Sequence, residues 1–243
     1  MNATKHKEPR TPFMGRLVWT VTTLAVVEGL VCALSVIPVL LVWSGLVVLA
    51  GSNHITRLAI FSAAVMPSYL MFAVCLMIVS PLVIRLIGWR SPEDAEMRIA
   101  EMGWPLLRWI RYLATIHLVR VVAGTLFRGT PIWTAHLRLY GARVGRRVFV
   151  NSLYVSDYNL LHFGDDVVIG AAAHVAGHTV EHGIVKTAAV RLSRNVTIGL
   201  GSVIEIGVDV GPDCEIGALS FVPKRTKLEG GAVYAGIPVT RIG

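Results

Sequence analysis

Two long stretches without charge dominate the first third of the chain. From Leu17 to Ala50 the only charged side chain is Glu28, and from Leu58 to Ile84 there is none. Each run exceeds the roughly 20 residues that a helix needs to cross a bilayer core, so the pattern predicts two spanning helices. The first lacks the short apolar core and small-residue cleavage pattern of a signal peptide and is read as retained. Pro38, Pro67 and Pro81 fall inside these runs and are predicted to kink them, which neighbouring helices and lipid tolerate. In SPEDAEM, Ser91 suits an N-cap, Pro92 the first turn, and Glu93, Asp94 and Glu96 the positive end of a helix dipole, so a helix is predicted to start there. The apolar run from Pro105 to Phe127 is interrupted by Arg108, Arg111 and Arg120. That is too much charge for a third span; it predicts an interfacial helix on anionic headgroups, or one packed on the soluble part.

Beyond Gly129 the hydrophobic period changes to six. Leu192, Ile198, Ile204, Val210, Ile216 and Val222 form an unbroken aliphatic column. Four positions further on stand Val196, Ser202, Val208, Cys214 and Ser220, all small or β-branched, and Gly199, Gly211 and Gly217 follow the aliphatics. Phe163, Ile169 and Val175, with Gly164 and Gly170, repeat the phase earlier, and Val144, Gly145 and Val150 suggest another coil. An α-helix would place residues six apart roughly 240° around its axis, on different faces. An inward aliphatic every six residues, with small residues at corners, describes short strands wound into a triangular prism, a parallel β-helix. The chain therefore divides into a tail and transmembrane hairpin (1–90), an amphipathic helical linker (91–128) and a β-helix domain (129–243).

Composition sharpens this division. The 243 residues are 54% hydrophobic and 16% charged, against about 25% charged in soluble domains, which excludes a disordered or ordinary soluble protein. Lys5, Lys7, Arg10 and Arg16 precede the first span, Arg85, Arg90 and Arg98 follow the second, and the connection holds only Arg57. This predicts an integral cytoplasmic-membrane protein with its N-terminus and β-helix on the cytoplasmic side. Glu28, twelve residues past Arg16, then lies near mid-membrane, where a carboxyl group is costly and a functional candidate. Residues 1–128 carry 12 basic and 6 acidic side chains, and 129–243 carry 11 and 9. The positive excess borders the membrane, so membrane lipids account for it and nucleic acid is not needed. Cys32, Cys75 and Cys214 form no CxxC pair, which argues against a disulfide framework or a cysteine zinc site.

Between Ala176 and Ala189 the six-residue register breaks, and the break holds HTVEHGIVKT. Chain ejected from a rigid prism is where chemistry is expected. His174, His178 and His182 recur every four residues there, so a three-imidazole zinc site with an open position for water is one reading. The acidic corners Asp165, Asp166, Asp209 and Asp213 are read as turn caps, and His136 and His162 as structural. Asn151 and Asp157, at an irregularity in the first coils, are secondary site candidates.

VTIGLGSVIEIGVDVGPDCEIGALSFV resembles the left-handed β-helix of hexapeptide-repeat acyltransferases, and the closing YAGIPVTRIG is similar to that family's Gly-x-Pro ending. GTPIWTAHLRLYGARVGRRVFVNS, FGDDVVIGAAAHV and GHTVEHGIVK together resemble, more narrowly, the membrane-associated domains that terminate some nonribosomal peptide synthetases, such as ε-poly-lysine synthetase. The hexapeptide likeness covers about residues 139–240.

The resemblance implies left-handed winding, a homotrimer with sites between prisms, and transfer of an acyl or aminoacyl group to an amine or hydroxyl. His178 matches the position of the family's catalytic base, and Glu181 that of an acidic residue able to orient it. His182 stands where an acidic residue is expected, beside the same site, and Thr179 replaces a more apolar residue. The implied donor is acyl-CoA or a phosphopantetheinyl thioester, acting as cosubstrate with no tightly bound cofactor. Arg191, Arg194, Lys224, Arg225, Lys227 and Arg241 offer cations for its phosphates. A carrier protein or peptide synthetase is the implied partner. Two other readings stay open: a γ-carbonic-anhydrase-like zinc site, and a non-catalytic scaffold for a biosynthetic complex.

Overall fold

The computed structural model describes residues 11–51 and 53–243; the flanking Lys5, Lys7 and Arg10 lie outside them. Helix α1 spans Thr11–Leu49 and α2 spans His54–Ile87, forming a hairpin in which Trp43 stacks on Phe61 and donates to Ser68 Oγ at 2.6 Å. Asn53 starts α2 by accepting from the N–H groups of Ile55 and Thr56, and Gly88 stops it with φ 77°. Apolar side chains such as Leu41, Val48, Leu58 and Leu86 are exposed, and both helices are long and apolar enough to cross a membrane. Pro38, Pro67 and Pro81 all lie within continuous helix.

The linker departs from expectation in two ways. SPEDAEM does not start a helix: Ser91 lies outside any helix or strand, and Glu96–Arg98 is a strand. Helix α3 instead begins at Trp104, runs to Val119, passes through a π-turn at Arg120–Gly124 and ends in α4, Thr125–Phe127. Trp104–Phe127 is a third helix long and apolar enough to cross a membrane, where two were expected. Two of its arginines are turned to partners rather than to the surface. Arg111, 4% exposed, donates to Thr20 Oγ1 at 3.3 Å and lies over the Trp89 ring; Arg120 donates to the Leu153 carbonyl. Helix α5, Pro131–Leu139, is capped by Thr130 and leads into the first coil. The fully buried ring of His136 bonds the Met77 carbonyl at 2.8 Å, a structural role, and burial lowers its pKa to about 4.

From Arg143 onward the chain visits three parallel sheets in rotation. One face holds 143–144, 161–163, 190–192, 209–210 and 227–228; the next 149–150, 168–169, 197–198, 215–216 and 233–236; the third 174–175, 203–204 and 221–222. Thr197 pairs with Glu215 and Val203 with Phe221, one coil of 18 residues on. This is a three-faced parallel β-helix. The aliphatic column from Leu192 to Val222 is buried throughout, as are Val196, Ser202, Val208, Cys214 and Ser220. Each fully buried aliphatic contributes roughly 1.5–3 kcal/mol.

The corners stack as well. Asp166, Asn195 and Asp213 occupy the same corner in left-handed conformation (φ 61°, 54° and 59°), and each N–H donates to the coil before it. Asp165 and Asp166 bind Arg146 and Arg147, so these acidic corners are structural. Val239–Arg241 turns back antiparallel on Val233–Gly236 and closes the last coil.

Candidate functional site

The register break is a β-hairpin. His178–Glu181 pairs antiparallel with Ile184–Thr187 around a His182–Gly183 turn in which both residues have positive φ. Glu96–Arg98 adds a third strand to its edge, pairing Met97 with Val185. The excursion is therefore anchored to the prism at one end and to the linker along its side.

His178 stands at the hairpin's base. Gly177 before it lets the strand approach the first coils, because a Cβ there would lie 2.9 Å from the Cβ atoms of both Asp157 and Leu160. Across that gap His178 Nδ1 meets Asp157 Oδ2 at 2.5 Å. Asp157 is fully buried and takes a left-handed conformation (φ 52°) just before the turn Tyr158–Leu160. Its Oδ1 accepts from Ser91 Oγ at 2.6 Å and Trp109 Nε1 at 3.0 Å; its Oδ2 accepts from Ser156 Oγ at 3.1 Å as well as from His178. Four donors thus fix one carboxylate, compensating the cost of burying its charge.

The Trp109 ring meets His178 edge-on, with centroids 5.1 Å apart. Burial alone would lower the His178 pKa, but the hydrogen bond and charge of Asp157, joined by the charge of Glu205, raise it above the ordinary imidazole value. With Nδ1 donating to Asp157, the neutral ring carries its lone pair on Nε2. The His178 side chain is 24% exposed, so the ring is only partly covered by the protein.

The other anticipated residues fall elsewhere. The Glu181 carboxylate bonds Lys224 and lies 3.8 Å from Lys186, so Asp157 rather than Glu181 holds the His178 ring. His182 is exposed at the hairpin tip, which separates it from the dyad and breaks the three-histidine zinc set. Among the described residues no group of three His, Cys, Asp or Glu side chains is gathered to hold a metal. Lys224 is brought to the hairpin by Glu181, whereas Arg191 pairs with Glu93 and Arg194 with Asp213. Arg225 forms a corner, Lys227 lies on the first face, and Arg241 lies on the returning strand. Asn151 accompanies the turn at Gly129 and does not touch the dyad.

Asp157 carried a weak signal, the coil irregularity. Ser91 and Trp109 carried none that pointed to a site, since one resembled a helix cap and the other an apolar helix residue.

No family model matches the chain. It is similar to the Delta-poly-L-ornithine synthetase of Acinetobacter baumannii, 26% identical over 168 residues that make up 68% of this chain and 12% of that protein. It is also similar to the carnitine operon protein CaiE of Escherichia coli, 23% identical over 131 residues, 53% of this chain and 64% of the relative. The chain thus matches less than two thirds of either relative's length. Among solved structures it resembles a galactoside acetyltransferase in complex with coenzyme A, with 25% identity, 46% of this chain and 69% of that one covered, and a TM-score of 0.37. The likenesses found are to hexapeptide-repeat acyltransferases and to a poly-amino-acid synthetase.

Proposed function

We propose that this chain is a membrane-anchored acyltransferase in which His178 is the general base and Asp157 positions it. The observation that carries the reading is the buried Asp157 bonded to Nδ1 of a partly exposed His178. Nε2 takes the proton of an acceptor amine or hydroxyl as that atom attacks the thioester carbonyl. The tetrahedral intermediate collapses, the C–S bond breaks, and the imidazolium returns the proton to the leaving thiolate. Backbone N–H groups near the hairpin stabilise the oxyanion.

The donor is an acyl or aminoacyl thioester of coenzyme A or of a phosphopantetheine arm. The relative that makes an ornithine polymer supports an aminoacyl donor and an amine acceptor. The prism is left-handed and homotrimeric, with Lys224, Arg225, Lys227, Arg194 and Arg241 placed for a donor bound between subunits. The long apolar helices anchor the chain in the cytoplasmic membrane with the prism on the cytoplasmic side, close to a carrier protein or synthetase. The test is an assay of the full chain in nanodiscs, scanning acyl-CoA and carrier-bound thioesters against amines and alcohols. Product that His178→Ala abolishes supports the reading; product formed equally by the variant overturns it.

A further inference from the structure

We propose that the cleft between the end of α2, the start of α3 and the first coil binds a phosphate-bearing anion at the membrane boundary. This cavity of about 820 Å³ is lined by Arg85, Arg90, Arg108 and Arg143, which come from three separate parts of the fold. Among the described residues, the ion pairs are made by other cations, and none of these four meets a carboxylate. The one acidic residue on the wall, Glu93, is turned to Arg191 at 3.4 Å. Four guanidinium groups around one concavity repel one another, and an anion in the centre removes that repulsion.

The chemistry favours phosphate. Guanidinium forks match its oxygens, and Arg85 spends only one N–H on the Arg138 carbonyl. Helix α3 starts at the cleft with Pro105 on its wall and with no side-chain cap from Gly103, so the positive end of its dipole adds to the field. Pro81, Ile84 and Leu160 provide apolar surface for whatever the phosphate is attached to. Ser91 also lines the cleft while its hydroxyl donates to Asp157, so an occupant sits one residue from the buried carboxylate. The assignment does not rest on acyl transfer: a chain inactive with every donor would still bind the anion.

Binding is measured by titrating the full chain in neutral detergent with short-chain phosphatidylglycerol, phosphatidylcholine, coenzyme A and inorganic phosphate. Arg108→Gln with Arg143→Gln is expected to weaken anion binding by about 25-fold, at roughly fivefold per charge. Arg146→Gln with Arg147→Gln removes the same charge outside the cleft and is expected to leave affinity within about twofold. A selective loss with phosphatidylglycerol alone identifies a lipid headgroup; a selective loss with coenzyme A or phosphate identifies a soluble phosphate. Equal losses in the two double variants, or no anion binding better than phosphatidylcholine, overturns the proposal.

Discussion

The Asp157 carboxylate and the His178 ring, 21 residues apart in sequence, meet at 2.5 Å across a gap that Gly177 keeps open. The contact joins the first coils of the prism to the base of the hairpin. It fixes which nitrogen of His178 bears the proton and leaves Nε2 as the acceptor. His178→Ala is expected to lower kcat/KM by about 10²–10⁴-fold, the usual contribution of a positioned base. Circular dichroism should be unchanged, because the hairpin ladder does not use the ring. A residual rate within a few-fold of the wild type would remove His178 from the chemistry.

The same contact sets the pH dependence. A base works when neutral, and the net effect of burial and Asp157 is to raise the His178 pKa. The acid limb of kcat/KM is therefore expected above the ordinary imidazole value of about 6.5. In Asp157→Asn it should move to lower pH while the plateau falls. Stability follows the opposite course: a raised folded pKa adds stability below the unfolded value, which is lost as pH rises through the folded value. The wild type's advantage over Asp157→Asn in thermal melts should then shrink between pH 5.5 and pH 9.

How much was legible in the chain follows from how far each signal reaches. The prism was legible because Leu192 to Val222 repeat a local period and all point inward. The hairpin was legible as a break in that period. The partner of His178 was not, because Ser91 and Trp109 meet Asp157 from 66 and 48 residues away, distances no spacing encodes. Glu181 looked the better partner, yet alternation along its strand and the nearby Lys224 carry it to another contact. The third long helix was discounted for its arginines, since sequence did not reveal the Thr20 hydroxyl, Trp89 ring and Leu153 carbonyl that receive them.

Glu181→Gln provides the contrast to Asp157. Its carboxylate serves Lys224 and Lys186 in a partly exposed network, so solvent screening limits the contribution to about 1 kcal/mol or less. Activity should stay within about threefold of the wild type, with a small loss in melting temperature. A collapse matching that of His178→Ala would place Glu181 in the reaction instead.

Trp109 separates positioning from packing. Trp109→Phe keeps an aromatic edge against His178 but removes the donor to Asp157 Oδ1. One lost hydrogen bond to a charged group is worth about 1.5–3 kcal/mol, so kcat should fall roughly 10- to 100-fold if that energy is expressed in orienting the dyad. Asp157 would then hold more negative charge toward His178, and the acid limb should move up, opposite to Asp157→Asn. A fall in kcat with an unmoved pH profile would assign Trp109 to packing alone.

The prism itself makes the last prediction, at Gly199. A Cβ there would lie 2.5 Å from the Ala218 nitrogen and 2.7 Å from the Gly217 carbonyl carbon, both backbone atoms of the next coil. Neither can rotate away, so Gly199→Ala must push two coils apart against the ladder in which Gly199 N–H donates to the Ile216 carbonyl at 2.7 Å. Overpacking of this kind costs about 1–3 kcal/mol. Gly45 in α1 has nothing within 4 Å of the same ideal Cβ, so Gly45→Ala is the matched control. Thermal melts in detergent should show a drop of several degrees for Gly199→Ala and none for Gly45→Ala. Equal melting of the two would mean that the coils do not stack at the spacing described.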